Sequence, residues 1–216
     1  MRSRAGRSVH VKTPPEQLRQ AGLLLDAAVA RRAMDLPGIF GNRRPVEIEI
    51  GSGKGAFLLR RAAARPEINL LGIEWVRTYA LYAADRAFRA GLGNVRLLCA
   101  DAEQVIKAAL SDQSVWRLHI YFPDPWPKRR QQRRRLIKPD FAAHARRVLR
   151  LGGWLGVVTD HADYFEQIRR VVLGTPGMMI LPFVSDDPAQ GVVGTNFERK
   201  YTGRRSFHTI AAMRYL

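Results

Sequence analysis

Pro123-Asp124-Pro125-Trp126-Pro127-Lys128 follows an apolar run and leads directly into Arg129, Arg130, Arg133, Arg134 and Arg135. Prolines on both sides restrict the backbone around Asp124, so its carboxylate is held out rather than left to wander. Such a carboxylate accepts hydrogen bonds from the donor edge of a nucleobase, an indole offers that base a stacking face, and arginines attract the surrounding phosphates. The chemistry suggested is chemistry on a base. The same residues also read as a proline-rich turn followed by a solvated charge run, so other parts of the chain have to decide.

A second chemical signal is Glu49-Ile50-Gly51-Ser52-Gly53-Lys54-Gly55, where a strand is expected to turn into its helix. Glycines there let the backbone approach a ligand and leave N–H groups free at the helix start. A phosphate-binding P-loop would need Gly at Ile48 and Ser or Thr at Gly55. In a dinucleotide turn the third glycine would come one residue later. A ligand with little or no phosphate remains.

Acids stand at the expected carboxyl ends of successive strands: Glu74 after Leu70 to Ile73, Asp101 after Val95 to Cys99, Asp124 after the fourth strand and Asp160 after the fifth. Open α/β sheets bind ligands at that rim. Together with Glu49 these acids suit a cationic ligand bearing ribose hydroxyls and an amino group. S-adenosylmethionine fits, with Glu74 on the ribose, Asp101 on the adenine amine, and Glu49 or the glycine turn at the methionine end. Asp101 and Asp160 equally suit helix caps.

The elements needed to position these residues are legible in the periodicity. Val46 to Ile50, Leu70 to Ile73, Val95 to Leu98, Leu118 to Phe122 and Trp154 to Val158 read as strands. Helices are expected over Ala56 to Ala64, Thr78 to Ala90, Ala102 to Leu110, Asp140 to Arg150 and Ala162 to Val172, with Gly152-Gly153 as a helix stop. The alternation implies an α/β fold, a mostly parallel doubly wound sheet. Before it, Thr13-Pro14-Pro15-Glu16 reads as a capping box opening a helix from Leu18 to Met34 that Pro37-Gly38 ends. After about residue 178, Leu181 to Val184 and Phe207 to Tyr215 read as an antiparallel hairpin at the sheet edge, joined by a polar loop from Ser185 to Gly194. Residues 1–12 read as a basic arm and residues 13–216 as one domain.

The chain has 216 residues, with 36 Lys plus Arg against 19 acids, a formal net charge of +17. That field draws phosphate-rich partners, so RNA or DNA is the expected partner and binding is expected to be salt-dependent. Cys99 is the one cysteine, which excludes an internal disulfide and suits a reducing compartment. No lipidation signal, secretory leader or apolar run of about 20 residues stands out, so no membrane association and a cytoplasmic location are expected. His10, His119, His144, His161 and His208 lack metal-ligand spacing, and no metal is expected.

With these pieces in place, the chain resembles the tRNA (guanine-N7)-methyltransferases. The resemblance rests on Glu49 to Gly55, Gly72-Ile73-Glu74, Cys99-Ala100-Asp101-Ala102, Phe122 to Lys128 with its arginines, Thr159-Asp160, and Thr195-Asn196-Phe197-Glu198, spanning about residues 45 to 202. It implies a Rossmann-like class I methyltransferase fold and methyl transfer from S-adenosylmethionine to N7 of the position 46 guanine in the tRNA variable loop. Glu49, Gly51, Gly53, Glu74, Asp101 and Asp124 correspond to cofactor contacts, and Asp124 also to the catalytic or base-holding acid. Lys128, Arg130, Arg133, Arg134, Arg135, Asp160, Thr195, Asn196, Phe197 and Glu198 correspond to substrate contacts. Pro127 stands where family members often carry His, which leaves that position without a side-chain proton donor. The resemblance also implies a monomer with no obligate protein partner.

Guanine N7 carries an exposed lone pair, so the transfer needs alignment and no base to remove a proton from the nucleophile. As N7 is alkylated the purine becomes cationic and its N1–H and amino donors grow more acidic; Asp124, with Glu198 sharing the duty, would bind that state better than the neutral base. Trp126 either stacks on the guanine or seals the fourth strand, Lys54 either meets RNA or the ligand carboxylate or is solvated, and Trp75 either borders the adenine or, as the simpler expectation, packs as a core indole. Two other classes remain open on the residues alone. One is a methyltransferase of another nucleobase, a protein amide or a small amine, because Asp-Pro-Trp is distantly similar to the Asn/Asp-Pro-Pro-aromatic turn of amino-methylating enzymes. The other is an RNA-binding module without catalysis, which a ring of carboxylates would serve poorly.

Overall fold

The structure is a computed structural model that describes residues 9–185, 189 and 191–216. In chain order it runs α1 (Pro15–Gln20), β1 (Leu24–Leu25), a 3-10 turn (Ala27–Arg31), α2 (Leu36–Phe40), β2 (Val46–Ile50), α3 (Ala56–Ala64), β3 (Asn69–Glu74), α4 (Arg77–Arg89) and β4 (Val95–Cys99). Then come α5 (Ala102–Gln104) with a π turn (Val105–Ala109), β5 (Val115–Tyr121), a 3-10 turn (Arg129–Arg134), α6 (Pro139–Val148), β6 (Leu149–Thr159), α7 (Ala162–Leu173), β7 (Met178–Leu181), α8 (Asn196–Tyr201) and β8 (His208–Arg214).

The strands form one sheet in the order β1-β4-β3-β2-β5-β6-β8-β7. Every pairing from β1 to β6 is parallel, and β8 runs antiparallel to both β6 and β7. This is the mixed, mostly parallel α/β sheet that the alternation implies. Every residue of β2 and β3 is buried, as strands covered by helices on both faces require. From β2 the chain winds outward through β3 and β4, then returns to place β5 on the other side of β2. The strand order therefore reverses between β2 and β5, and the crevice beyond their carboxyl ends is where such a sheet receives a ligand.

Glu47 and Glu49 alternate along β2 and point to the same face, yet their surroundings differ. Glu47 is fully buried and takes hydrogen bonds from Arg61 Nε at 2.9 Å, Arg61 Nη2 at 2.8 Å and His119 Nε2 at 2.9 Å. Burial alone would raise this carboxyl, but the His119 and Arg61 bonds outweigh it and hold the pKa down to about 2. The pair ties α3 to the sheet one strand-step before the ligand crevice.

Gly72 in β3, paired with Glu49 across the sheet, is required by close approach. A Cβ there would lie 2.7 Å from Leu58 Cδ2, 2.8 Å from Leu97 Cδ1 and 3.0 Å from Ser52 Oγ. Gly72→Ala is expected to cost about 1–3 kcal/mol by overpacking and to lower the thermal midpoint by several degrees. An unchanged midpoint would mean that α3 does not press on β3 as described.

Several expectations are corrected. The helix from Leu18 to Met34 does not form, because α1 stops at Gln20 and Leu24 and Leu25 add a parallel edge strand to β4, burying Leu23 and Leu24. Edge pairing and burial outweigh the local helical pattern. Thr13 caps nothing; its N–H and hydroxyl donate to Asp85 Oδ1 at 3.0 and 2.7 Å. Pro37 opens α2 rather than ending a helix. The helix before Gly152-Gly153 stops at Val148, and the two glycines lie inside β6, where the register shifts against β5. The first hairpin strand spans Met178–Leu181 rather than Leu181 to Val184. Of the arm, residues 1–8 lie outside the described residues, as do 186–188 and 190 of the polar loop.

Candidate active site

The turn after β2 has left-handed backbone at Gly51, Gly53 and Gly55, with φ of 74°, 53° and 73°. Side chains at all three positions would be strained, which is why this turn is built of glycine. Gly51 N–H is bonded to Ile73 O at 2.8 Å and Gly53 N–H to Glu74 Oε2 at 2.7 Å. The second Glu74 oxygen accepts from Val76 N–H at 2.8 Å. Glu74 thus locks the glycine turn onto the end of β3.

Around this turn opens a cleft of about 1310 Å³. One wall is Glu49, Gly51, Gly53, Glu74 and Asp101, and the facing wall includes Tyr121, Phe122, Asp124, Trp126 and Arg134. Thr195, Asn196 and Phe197 from the start of α8 close its end. The β2–β5 crossover brings together segments that lie far apart in the chain.

Glu49 is 3% exposed, and among the described residues its Oε2 has no hydrogen-bond partner. Burial pushes its carboxyl well above the usual carboxylate range; Glu74 adds to the rise, against pulls from the Leu58 backbone and Arg60. Arg60 is committed elsewhere, donating to Gly194 O at 2.9 Å and Val193 O at 2.6 Å. A buried acid beside a second acid, with no cation of its own, fits a positively charged ligand. The arrangement suits a sulfonium or ammonium group of S-adenosylmethionine. Asp101 caps α5, accepting from Glu103 N–H at 2.8 Å, and also lines the cleft.

Asp124 is exposed and has no hydrogen bond among the described residues. Trp126 faces the cleft with the Arg134 guanidinium 5.1 Å from its ring centre. Lys128, Arg130 and Arg133 are exposed on the flank next to the cleft wall. Thr195 caps α8 by accepting from Glu198 N–H at 3.1 Å, and Phe197 packs against Phe122 with ring centres 4.6 Å apart.

Three residues expected to touch substrate are placed otherwise. Arg135 is 1% exposed, and its guanidinium donates to Pro125 O, Gln167 and Asp163, which places it inside the protein rather than on the exposed arginine flank. Glu198 is 3% exposed and accepts from the N–H groups of Val192, Val193 and Gly194, which leaves it shaping the loop rather than sharing the base with Asp124. Asp160 lies outside the cleft wall and is ion-paired with Arg205. Trp75, the residue after the end of β3, is not a packed core indole: it is 73% exposed and lines the cleft. Lys200, Tyr79 and Tyr82 also line the cleft, and nothing in their spacing marks them out. Among the described residues no three His, Cys, Asp or Glu side chains converge as a metal site, and no helix is long and apolar enough to cross a membrane.

A family model described as "Putative methyltransferase" matches residues 43–205. A tRNA (guanine-N(7)-)-methyltransferase of Listeria monocytogenes is 36% identical over 170 residues, 77% of this chain and 78% of the relative. The chain belongs to the tRNA (guanine-N7)-methyltransferase family. Another member, from Pseudomonas aeruginosa, is 39% identical over 143 residues, covering 66% of this chain and 59% of that protein. Solved structures agree on the fold of the family: an antibiotic-related methyltransferase superposes with a TM-score of 0.60 at 19% identity, over 90% of this chain and 98% of that one. A SAM-dependent methyltransferase from Aquifex aeolicus superposes at 0.55 with 14% identity, over 94% and 100%. The class I methyltransferase fold is therefore common to chains that share little sequence with this one.

Proposed function

We propose that the protein methylates N7 of the position 46 guanine, in the variable loop of tRNA, with S-adenosylmethionine as donor, and that it works as a cytoplasmic monomer. Guanine N7 methylation of tRNA follows from family membership, and the position is the finer step. One observation carries the reading of the site. At the strand-order reversal, acids ion-paired with no described residue face a cleft whose other wall presents Asp124, itself bonded to no described residue, beside Trp126 and Arg134.

S-adenosylmethionine supplies an electrophilic methyl on a sulfonium. Glu49 and the glycine turn hold its methionine end, Glu74 the ribose hydroxyls and Asp101 the adenine amine. Across the cleft, Asp124 accepts from the N1–H and amino edge of guanine and fixes N7 in line with the methyl. Trp126, backed by Arg134, offers the base a face. Positioning supplies most of the acceleration, and the Asp124 charge supplies stabilisation that grows as the purine becomes cationic. Lys128, Arg130, Arg133 and Arg134 hold the RNA backbone, Thr195, Asn196 and Phe197 border the base, and Asp160 orients Arg205 towards the RNA.

Incubation with labelled S-adenosylmethionine and unmodified tRNA, followed by borohydride and aniline, is expected to cut the RNA at position 46. Scission elsewhere would move the position; incorporation without scission would move the methyl to another atom. Arg133→Ala is expected to weaken tRNA binding and to lower the slope of log K against log salt by about one, with turnover at saturating tRNA unchanged. An unaltered slope would remove Arg133 from the RNA interface.

A further inference from the structure

We propose that Arg135 is a positioning residue for Asp124, a buried guanidinium that fixes the turn on which the base-facing carboxylate stands. The proposal rests on the reading of Asp124 given above. Asp124 makes no side-chain bond to any described residue, so its location depends on its backbone. That backbone is unusual: Phe122 and Trp126, on either side, have φ of 54° and 42°. Left-handed backbone at residues with large side chains persists only where the surroundings impose it, and such residues collect at functional sites.

Two anchors impose it here. Phe122 N–H donates to Val158 O at 2.7 Å, holding the first end to β6. At the other end, Pro123, Pro125 and Pro127 have no N–H, so carbonyls are the handles. Arg135 Nε donates to Pro125 O at 2.8 Å, the carbonyl next after Asp124. The guanidinium is itself immobilised by α7: Nη1 donates to Gln167 Oε1 at 2.8 Å, Nη2 to Asp163 Oδ2 at 2.5 Å, and its Cζ lies 4.8 Å from the Tyr164 ring centre. A planar fork serves these three directions at once, whereas an ammonium on a flexible stem does not. Arg135 thus couples the α7 surface to the Asp124 turn, while its neighbours in the same arginine run face solvent.

The test is Arg135→Lys, measured alone and with Asp124→Asn. Misplacing a reacting group by about 1 Å costs up to about 100-fold in rate, so kcat is expected to fall about 10- to 100-fold. S-adenosylmethionine affinity, the KM for tRNA and the salt slope of tRNA binding are expected to hold. Because Arg135 acts through Asp124, adding Arg135→Lys to Asp124→Asn is expected to cost about twofold at most. A salt slope reduced by about one would make Arg135 a phosphate contact and overturn the proposal. So would full additivity of the two losses, or a parallel fall in kcat and cofactor affinity, either of which marks a purely structural role. Asp163→Asn alters an exposed anchor of the same guanidinium and is expected to lower kcat in the same way but less; if Arg135→Lys does not fold, an unchanged kcat in Asp163→Asn overturns the proposal. Asp124→Asn alone turning over at the parent rate would instead remove the reading of Asp124, and the two failures are told apart by that variant.

Discussion

Asp124→Asn is expected to slow methyl transfer by about 100- to 1000-fold at saturating tRNA and S-adenosylmethionine, the range seen when one preorganised electrostatic partner of a transition state is removed. Asn keeps the shape and one neutral acceptor but loses the charge. The loss falls on kcat because the guanine edge becomes a stronger donor only as N7 acquires the methyl, so the carboxylate binds the transition state better than the ground state. Asp124 is exposed and bonded to no described residue, so its replacement leaves no buried group unpaired and the thermal midpoint should not move. Cofactor affinity, read by titration of tryptophan fluorescence, should stay within about threefold, because the change removes no bond from the glycine turn or from Glu74. Equal losses in turnover and cofactor affinity would assign Asp124 to the cofactor instead of the base.

Glu49→Gln is expected to act in opposite directions on stability and on cofactor binding. In the unliganded protein burial raises the Glu49 carboxyl, with Glu74 adding to it, so the folded state keeps a proton that the unfolded chain has released. The stability contributed by this group is therefore fully present below the unfolded carboxylate value of about 4.3 and is lost as pH rises towards the folded value. Gln cannot ionise, so the variant should lose less stability than the parent over that window and melt higher at its alkaline end. Binding reverses the advantage. A cationic donor favours the carboxylate, so it expels the proton, and its affinity for the parent should rise with pH across the same window. The variant should bind S-adenosylmethionine about 10- to 100-fold more weakly, the worth of a hydrogen bond to a charged group, and with no pH dependence from this site. Calorimetry in two buffers of different ionisation enthalpy measures the proton directly. Zero protons released by the parent, with Glu74, Arg60 and the Leu58 backbone the groups facing Glu49, would show that Glu49 is already ionised before the ligand arrives.

Glu47 and Glu49 show how little of this is visible locally. Val-Glu-Ile-Glu-Ile presents two chemically identical carboxylates two residues apart. Arg61 and His119, from α3 and β5, hold one ionised, while the other is left facing a cleft with its Oε2 bonded to no described residue. Position along the strand decides which becomes a structural ion pair and which a ligand site.

The alternation of apolar strands with Ala- and Arg-rich helices was readable by itself, since it depends on side-chain period and on glycine at the strand-to-helix turn. So were the glycine turn, the acids at the strand ends and the Pro-Asp-Pro-Trp segment, because backbone restriction and residue type are local properties. What stayed hidden depends on partners distant in the chain. Leu24 and Leu25 became a strand because β4 offered an open edge, which no local pattern states. Arg135 looks like its exposed neighbours in a run of arginines, and only the arrival of Pro125, Asp163 and Gln167, 10, 28 and 32 residues away, makes it a buried clamp. Glu198 likewise folds back onto its own loop. Sequence determined the chemistry on offer and the order of the strands' helices; tertiary structure decided which charges face the ligand, because burial and hydrogen bonding are set by neighbours in space.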